Sequence, residues 1–258
     1  MEQSAVKNII ITGGNEGIGY EMVRQFIRDG CRVAVLDVHI SNLTQLATDN
    51  PDHLLPFLCD VRDSETVKKC VSEISSKWGR IDFAIHNACK CTFGSLEETD
   101  ESVYQEVFAV NYYGAIHLTK AVLPIMKSQN KGKILFTSSG VGITGFQNIS
   151  PYASSKGAIE ALAKCLNLEY QNTGISFHLL HPPLTRTHSS KPLPVPEEFK
   201  VDPQVVGQGL AKNIDKDSFV ICHSLAQSLQ MKMTYLFPVA LGKFVGSRMK
   251  KIETQNKD

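Results

Sequence analysis

The run PYASSKGAIEALAKCLNLEY (151–170) carries a tyrosine and a lysine four residues apart, Tyr152 and Lys156, with a serine pair, Ser138 and Ser139, upstream. A helix that only fills a core needs neither a phenol nor an ammonium in its first turns. Residues i and i+4 of a helix share a face, so the two groups would be neighbours. A free phenol has a pKa of about 10 and is a poor base at neutral pH. A nearby ammonium favours the phenolate and lowers that value. The pair reads as a proton-transfer device, although a tyrosine and a lysine at this spacing also occur by chance on many helices. What it would act on depends on what the rest of the chain binds.

The stretch TGGNEGIG (12–19) follows the first apolar run and opens the first amphipathic one. Gly13, Gly17 and Gly19 let the backbone turn tightly and approach a pyrophosphate. The helix start then offers free N–H groups and the positive end of its dipole, with Asn15, Glu16 and Ile18 completing the loop. Asp37 closes the second apolar run, about 20 residues further on, where a carboxylate can bond both ribose hydroxyls. It would repel a 2′-phosphate, so NAD is the expected cofactor rather than NADP. Asp60 and Val61 end the third run and could contact the adenine; capping of the next helix by Asp60 or Asp63 competes with that role.

The elements that must position these residues alternate in type. Strands are expected at 6–12, 31–37, 53–60, 81–88, 132–139, 175–182 and 218–222. Amphipathic stretches lie between them at 17–30, 41–48, 64–79, about 100–128 and 151–170. Pro124 falls near the end of the fourth stretch, and Ser64 opens the third with a capping-box pattern that lacks its acid. This alternation predicts one doubly wound parallel sheet over residues 1–258, an α/β Rossmann-like domain with a helical C-terminal extension at 224–258. The proline-rich segment (Pro182, Pro183, Pro192, Pro194, Pro196 and Pro203) reads as a substrate loop or lid over 182–215.

Composition narrows the function. A formal net charge of +1 gives no basic surplus for nucleic acid. Seven cysteines, odd in number and scattered through apolar segments, suit a reducing compartment, and a cytoplasmic location is expected. His86, Cys89 and Cys91 lack the further ligands of a metal site, so no metal is expected. Residues 1–5 are too few and too polar for a signal peptide, and no apolar run reaches membrane-spanning length.

Together these motifs resemble the short-chain dehydrogenase/reductase family in its compact form, from residue 6 to about 222. The glycine pattern Thr12-Gly13-x-x-x-Gly17-x-Gly19 is that of the compact branch; the larger epimerase branch would have glycine where Glu16 stands. The resemblance implies a catalytic tetrad of Asn111 in VNYYG, Ser139 in TSSG, and Tyr152 and Lys156 in YASSK. In it Tyr152 exchanges the proton that accompanies hydride transfer, its phenol pKa lowered by Lys156 and the cationic nicotinamide together, and Lys156 also holds the nicotinamide ribose. Ser139 bonds the substrate oxygen, and Asn111 holds a water behind Lys156. It further implies cofactor contacts at Asn87 and Ala88, Pro182 and Thr187. HNAC (86–89) departs from the family's Asn-Asn-Ala-Gly at His86 and Cys89. Pro183 replaces a glycine, which removes an N–H and weakens or shifts the carboxamide contact. The Pro-Pro pair and the apolar C-terminal region are more similar to the 3-ketodihydrosphingosine reductases than to sugar or polyol dehydrogenases.

The expected activity is hydride transfer between NAD(H) and a hydroxyl or keto group of a hydrophobic substrate. Ile143, Phe146, Leu184, Leu193, Val195 and Phe199 would line the pocket. A non-catalytic NAD(H)-binding scaffold is the alternative. The apolar stretch near 233–245, broken by Pro238 and followed by Arg248, Lys250 and Lys251, reads as a pocket wall or a homo-oligomer contact (dimer or tetramer), ahead of a membrane-surface contact.

Overall fold

A computed structural model describes residues 6–191, 193 and 195–255, with side chains as far as Ser247. Residues 1–5, Pro192, Pro194 and the side chains of Arg248, Lys250 and Lys251 lie outside that range. The seven expected strands are present: β1 (Asn8–Thr12), β2 (Arg32–Asp37), β3 (Leu54–Leu58), β4 (Phe83–His86), β5 (Gly132–Thr137), β6 (Ile175–His181) and β7 (Val220–Cys222). They form one sheet in the order β3-β2-β1-β4-β5-β6-β7, every pair parallel. Each strand is shorter than its apolar run at one end or both, because ladder pairing stops before hydrophobicity does.

Alternate residues of a strand face opposite sides. Ile10 joins the core beneath α3 (Ser64–Trp78), α5 (Gly114–Gln129) and α7 (Ser150–Glu169), where Val71, Leu118 and Ile159 are buried. Ile9 and Ile11 join the core beneath α1 (Gly17–Arg28), α2 (Ser41–Asp49) and α8 (Pro203–Lys212), with Met22, Leu43 and Val206. Order reverses between β1 and β4, so their carboxyl ends flank the crevice where this architecture takes ligands.

One choice among capping candidates is decided and one helical tract is corrected. Asp63, not Ser64 or Asp60, caps α3: its carboxylate accepts from the Glu65 and Thr66 N–H groups. The long tract near 100–128 is three pieces, α4 (Glu101–Phe108), a wide five-residue turn at Ala109–Tyr113, and α5, which contains Pro124. A widened turn of this kind rotates the side chains that follow it, and it holds Asn111.

The 182–203 loop is ordered where it is described. Thr185 bridges to Val201, and short 3₁₀ turns form at His188–Ser190 and Glu197–Phe199. Beyond β7 the chain ends in α9 (Leu225–Leu236) and α10 (Pro238–Gln255), the expected helical extension. Among the described residues no helix is long and apolar enough to cross a membrane.

Candidate active site

The glycine turn sits at the carboxyl end of β1, packed tightly by backbone. Gly13 and Gly17 have φ of 66° and 59°, which favour glycine. A Cβ at Gly13 would lie 2.6 Å from Ala88 Cα, and one at Gly19 would lie 2.0 Å from the Gly13 carbonyl oxygen. Thr12 Oγ1 fixes the neighbouring segment: the Asn87 and Ala88 N–H groups both donate to it at 3.1 Å, and His86 Nδ1 lies 3.0 Å away. In the sequence Thr12 is only the residue before Gly13; its role as anchor depends on β1–β4 pairing. Asn87 Nδ2 donates to the Gly13 carbonyl at 2.7 Å. HNAC therefore docks on the glycine turn despite Cys89.

The loop's other end is equally fixed. Asp37 accepts from the Asn15 N–H at 2.9 Å and the His39 N–H at 3.1 Å. Asn42 bonds the Asn15 side chain and carbonyl, both at 3.0 Å. Glu16 precedes α1 without capping it, and no acidic side chain occupies the first turn. That helix start keeps its N–H groups and positive dipole for an anion, so the residues present fit a dinucleotide's pyrophosphate. Ile18 is half-buried beside it, and Thr187 Cγ2 would lie 3.1 Å from a Cβ at Gly17. The loop after β6 thus reaches the glycine turn, with Pro182 at its root. Asp60 is engaged by Arg62, whose Nε donates to both oxygens at 3.0 and 2.8 Å, and this bond holds its carboxyl below the usual range. Val61 is buried and its carbonyl binds His117 Nδ1 at 2.8 Å.

The four expected catalytic residues lie at one place. Lys156 is buried, donates to the Thr137 carbonyl at 2.7 Å, and stands 5.6 Å from the centroid of the Tyr152 ring. Asn111, fully buried in the wide turn, donates to Ser155 Oγ at 2.9 Å and to the Lys90 carbonyl at 3.0 Å. The Lys90 N–H returns a bond to Asn111 Oδ1 at 2.7 Å. Ser139 and Cys89 both stand beside the Tyr152 phenol.

The expectation of a lowered phenol pKa rests on Lys156 and the cationic nicotinamide together; the chain's own groups act the other way. Burial raises its pKa well above 10, and the Cys89 and Cys91 thiols add to the rise, while Ser139 opposes it. Cys91 is itself pushed up to about 12, by burial and then by Cys89. His86 is fully buried; burial and then Lys156 push it down to about 3, against the Val110 and Asn111 backbone. No cluster of three metal-ligating side chains occurs among the described residues.

One feature beneath the site was not visible in the sequence. Glu160, one turn past Lys156 and only 4% exposed, accepts from Ser138 Oγ. It also bonds His181 Nε2 at 2.7 Å, and Tyr235 of α9 donates to its second oxygen at 2.7 Å. Burial alone would raise Glu160; the bonds from His181, Ser138 and Tyr235 outweigh it and hold the carboxyl below its usual range.

Of the expected pocket residues, Ile143, Phe146, Leu184 and Leu193 are half-buried and Val195 is buried. Phe199, in contrast, is 54% exposed. A hollow lined by Lys127, Asn130 and Gly174 lies at the amino ends of β5 and β6, opposite the crevice.

Comparison with known proteins accords with this geometry. Residues 7–197 match the short chain dehydrogenase family model. A cis-2,3-dihydrobiphenyl-2,3-diol dehydrogenase of Paraburkholderia xenovorans is 34% identical over 62% of this chain and 60% of its own length. A 3-ketodihydrosphingosine reductase of Dictyostelium discoideum is 27% identical over 86% of this chain and 76% of its own. A solved short-chain dehydrogenase from Streptomyces avermitilis superposes with a TM-score of 0.81 at 21% identity, covering 98% of both chains. The chain belongs to the short-chain dehydrogenase/reductase family, oxidoreductases that act on hydroxyl and keto groups with a nicotinamide cofactor.

Proposed function

We propose that this chain transfers a hydride between NAD(H) and a hydroxyl or keto group of a small hydrophobic substrate, lipid-derived or steroid-like. The packing of Lys156, Tyr152, Ser139 and Asn111 beside an uncapped glycine turn carries the reading. Half-buried apolar side chains at Ile143, Phe146, Leu184 and Leu193 support the substrate class. The nicotinamide ring, when bound, supplies or accepts the hydride.

The chain's residues bind and move the proton. Backbone at Gly13, Asn15, Glu16, Gly17, Ile18 and Gly19 would hold the pyrophosphate, Asp37 the ribose hydroxyls, and Asp60 and Val61 the adenine. Asn87, Ala88 and Lys156 would hold the nicotinamide ribose, with Pro182 and Thr187 beside the carboxamide. Tyr152, neutral because its pKa is raised, is in the form that donates to the oxygen of a ketone undergoing reduction. Ser139 donates to the same oxygen, and Asn111 orders the groups behind Lys156. The 182–215 loop and the inner face of α9 would close over the substrate. Self-association as a dimer or tetramer and a cytoplasmic setting complete the reading; all seven cysteines are free.

A panel of hydrophobic ketones with NADH, followed by nicotinamide absorbance, tests it. Turnover is expected. Tight NADH binding with no turnover across the panel would favour the non-catalytic scaffold, the reading to which the His86, Cys89 and Pro183 departures point.

Cofactor choice rests on Asp37. NADH should bind about tenfold or more tightly than NADPH, because the carboxylate meets a 2′-phosphate with like charge. Asp37→Ser should narrow that ratio. The ratio is the readout because Asp37 also anchors Asn15, so the variant weakens both cofactors. Equal affinities in the parent would contradict the assignment.

A further inference from the structure

The two C-terminal helices have unlike faces. Inward, Gln227, Met231 and Thr234 are buried, Tyr235 bonds Glu160, and a Cβ at Gly242 would lie 2.6 Å from the Thr144 carbonyl oxygen. Outward, Leu225, Leu229 and Leu236 are 83%, 64% and 68% exposed. They recur at helical spacing along one side of α9, with Met233 among them. Phe237 and Val239, also exposed, carry the apolar surface over the turn into α10. A contiguous apolar surface of this kind marks a contact.

Charge decides what it contacts. From Leu225 to Ile252 the sequence contains five cations (Lys232, Lys243, Arg248, Lys250 and Lys251) and no Asp or Glu, whereas the rest of the chain has more acids than bases. Lys232 and Lys243 are exposed beside the leucines. A two-fold contact with a second copy would set this surface against itself and place cation near cation. An anionic bilayer surface complements both properties, receiving the leucines at the acyl boundary and the cations at the headgroups.

We propose that the outer face of α9 and the start of α10 dock this protein onto anionic phospholipid membranes, lying in the interface without crossing it. The docked helices stay attached to the domain through Tyr235 and Gly242, so binding requires no unfolding. The proposal does not depend on which substrate the cleft takes.

The full chain is mixed with vesicles of phosphatidylcholine alone, or of phosphatidylcholine and phosphatidylglycerol at about three to one, and sedimented. It should pellet with the anionic vesicles only, and high salt should release it. Replacing Leu225, Leu229 and Leu236 together with Glu should cut the bound fraction about tenfold or more, with mass and melting temperature unchanged. Lys232→Glu with Lys243→Glu, which leaves the apolar face intact, should also weaken binding and serves if the triple variant does not fold. Failure of the parent to pellet with anionic vesicles overturns the proposal, as does equal pelleting of the parent and a folded variant. A parent that stays in the supernatant while the triple variant loses oligomeric mass in light scattering would identify the face as a contact between copies, and would also overturn it.

Discussion

Replacing Tyr152 with Phe should lower turnover on the order of 10²–10⁴-fold while NADH affinity stays within about twofold of the parent. The ring stays, so the Lys156 ammonium keeps its place 5.6 Å from the centroid and its bond to the Thr137 carbonyl. What leaves is the hydroxyl proposed to donate to the substrate oxygen. Burial, Cys89 and Cys91 hold that hydroxyl protonated well past neutrality, so ketone reduction by the parent should show no loss of rate from phenol ionisation between about pH 6 and 9. Steady-state kinetics with the best ketone of the panel, and fluorescence titration of NADH, give the two numbers. A variant retaining more than about a tenth of parental turnover would remove Tyr152 from the proton-transfer role.

The second large effect concerns stability. His86 is neutral and fully buried, with its pKa pushed down to about 3. In the unfolded chain it would titrate near 6.5. Between those values the unfolded state binds a proton that the folded state refuses, so stability rises with pH across the window and is lost as pH falls below about 6.5. The slope is about 1.4 kcal/mol per pH unit, or roughly 2 kcal/mol between pH 6.5 and 5. In His86→Asn that part should vanish, while the amide can still meet Thr12 Oγ1. His178 and His223, also lowered, remain in both proteins and cancel in the comparison. Glu160, depressed, contributes above its unfolded value near 4.5 and is lost only below it. Urea unfolding of both proteins at pH 7.5 and pH 5 is the measurement. Parallel pH dependence in parent and variant would show that His86 is not the source.

Much of the fold was legible because it follows from local pattern. Ile9, Ile10 and Ile11 before a glycine turn, and Val33 to Leu36 before Asp37, signal strands buried on both faces whatever surrounds them. Tyr152 and Lys156 were legible because helical spacing alone makes them neighbours. The raised phenol was not, since it depends first on burial within the folded domain and then on two thiols from the segment after β4, over sixty residues away. Nor was the cap of α3, where Asp63 and Ser64 are adjacent candidates and only backbone geometry separates them. Asn111 was found by resemblance; the widened turn that aims it has no signature in AVNYY. The exposure of Phe199 was not legible either, because apolarity in a loop does not say how deeply the loop packs.

The bond from Tyr235 to Glu160 spans 75 residues of chain. Proteins are made from the amino end, and domains generally gather as the chain emerges. When α7 first packs on the sheet, Ser138 is already available to Glu160, and His181 follows soon after. The phenol that completes this carboxylate's shell is synthesised only after β7 and most of α9. Until then that carboxylate oxygen lacks its donor, and the hydrogen-bond shell beneath the cleft is completed only when the C-terminal helices dock. Competence for chemistry is therefore expected late in synthesis, and a nascent chain stalled before residue 235 should lack that last bond.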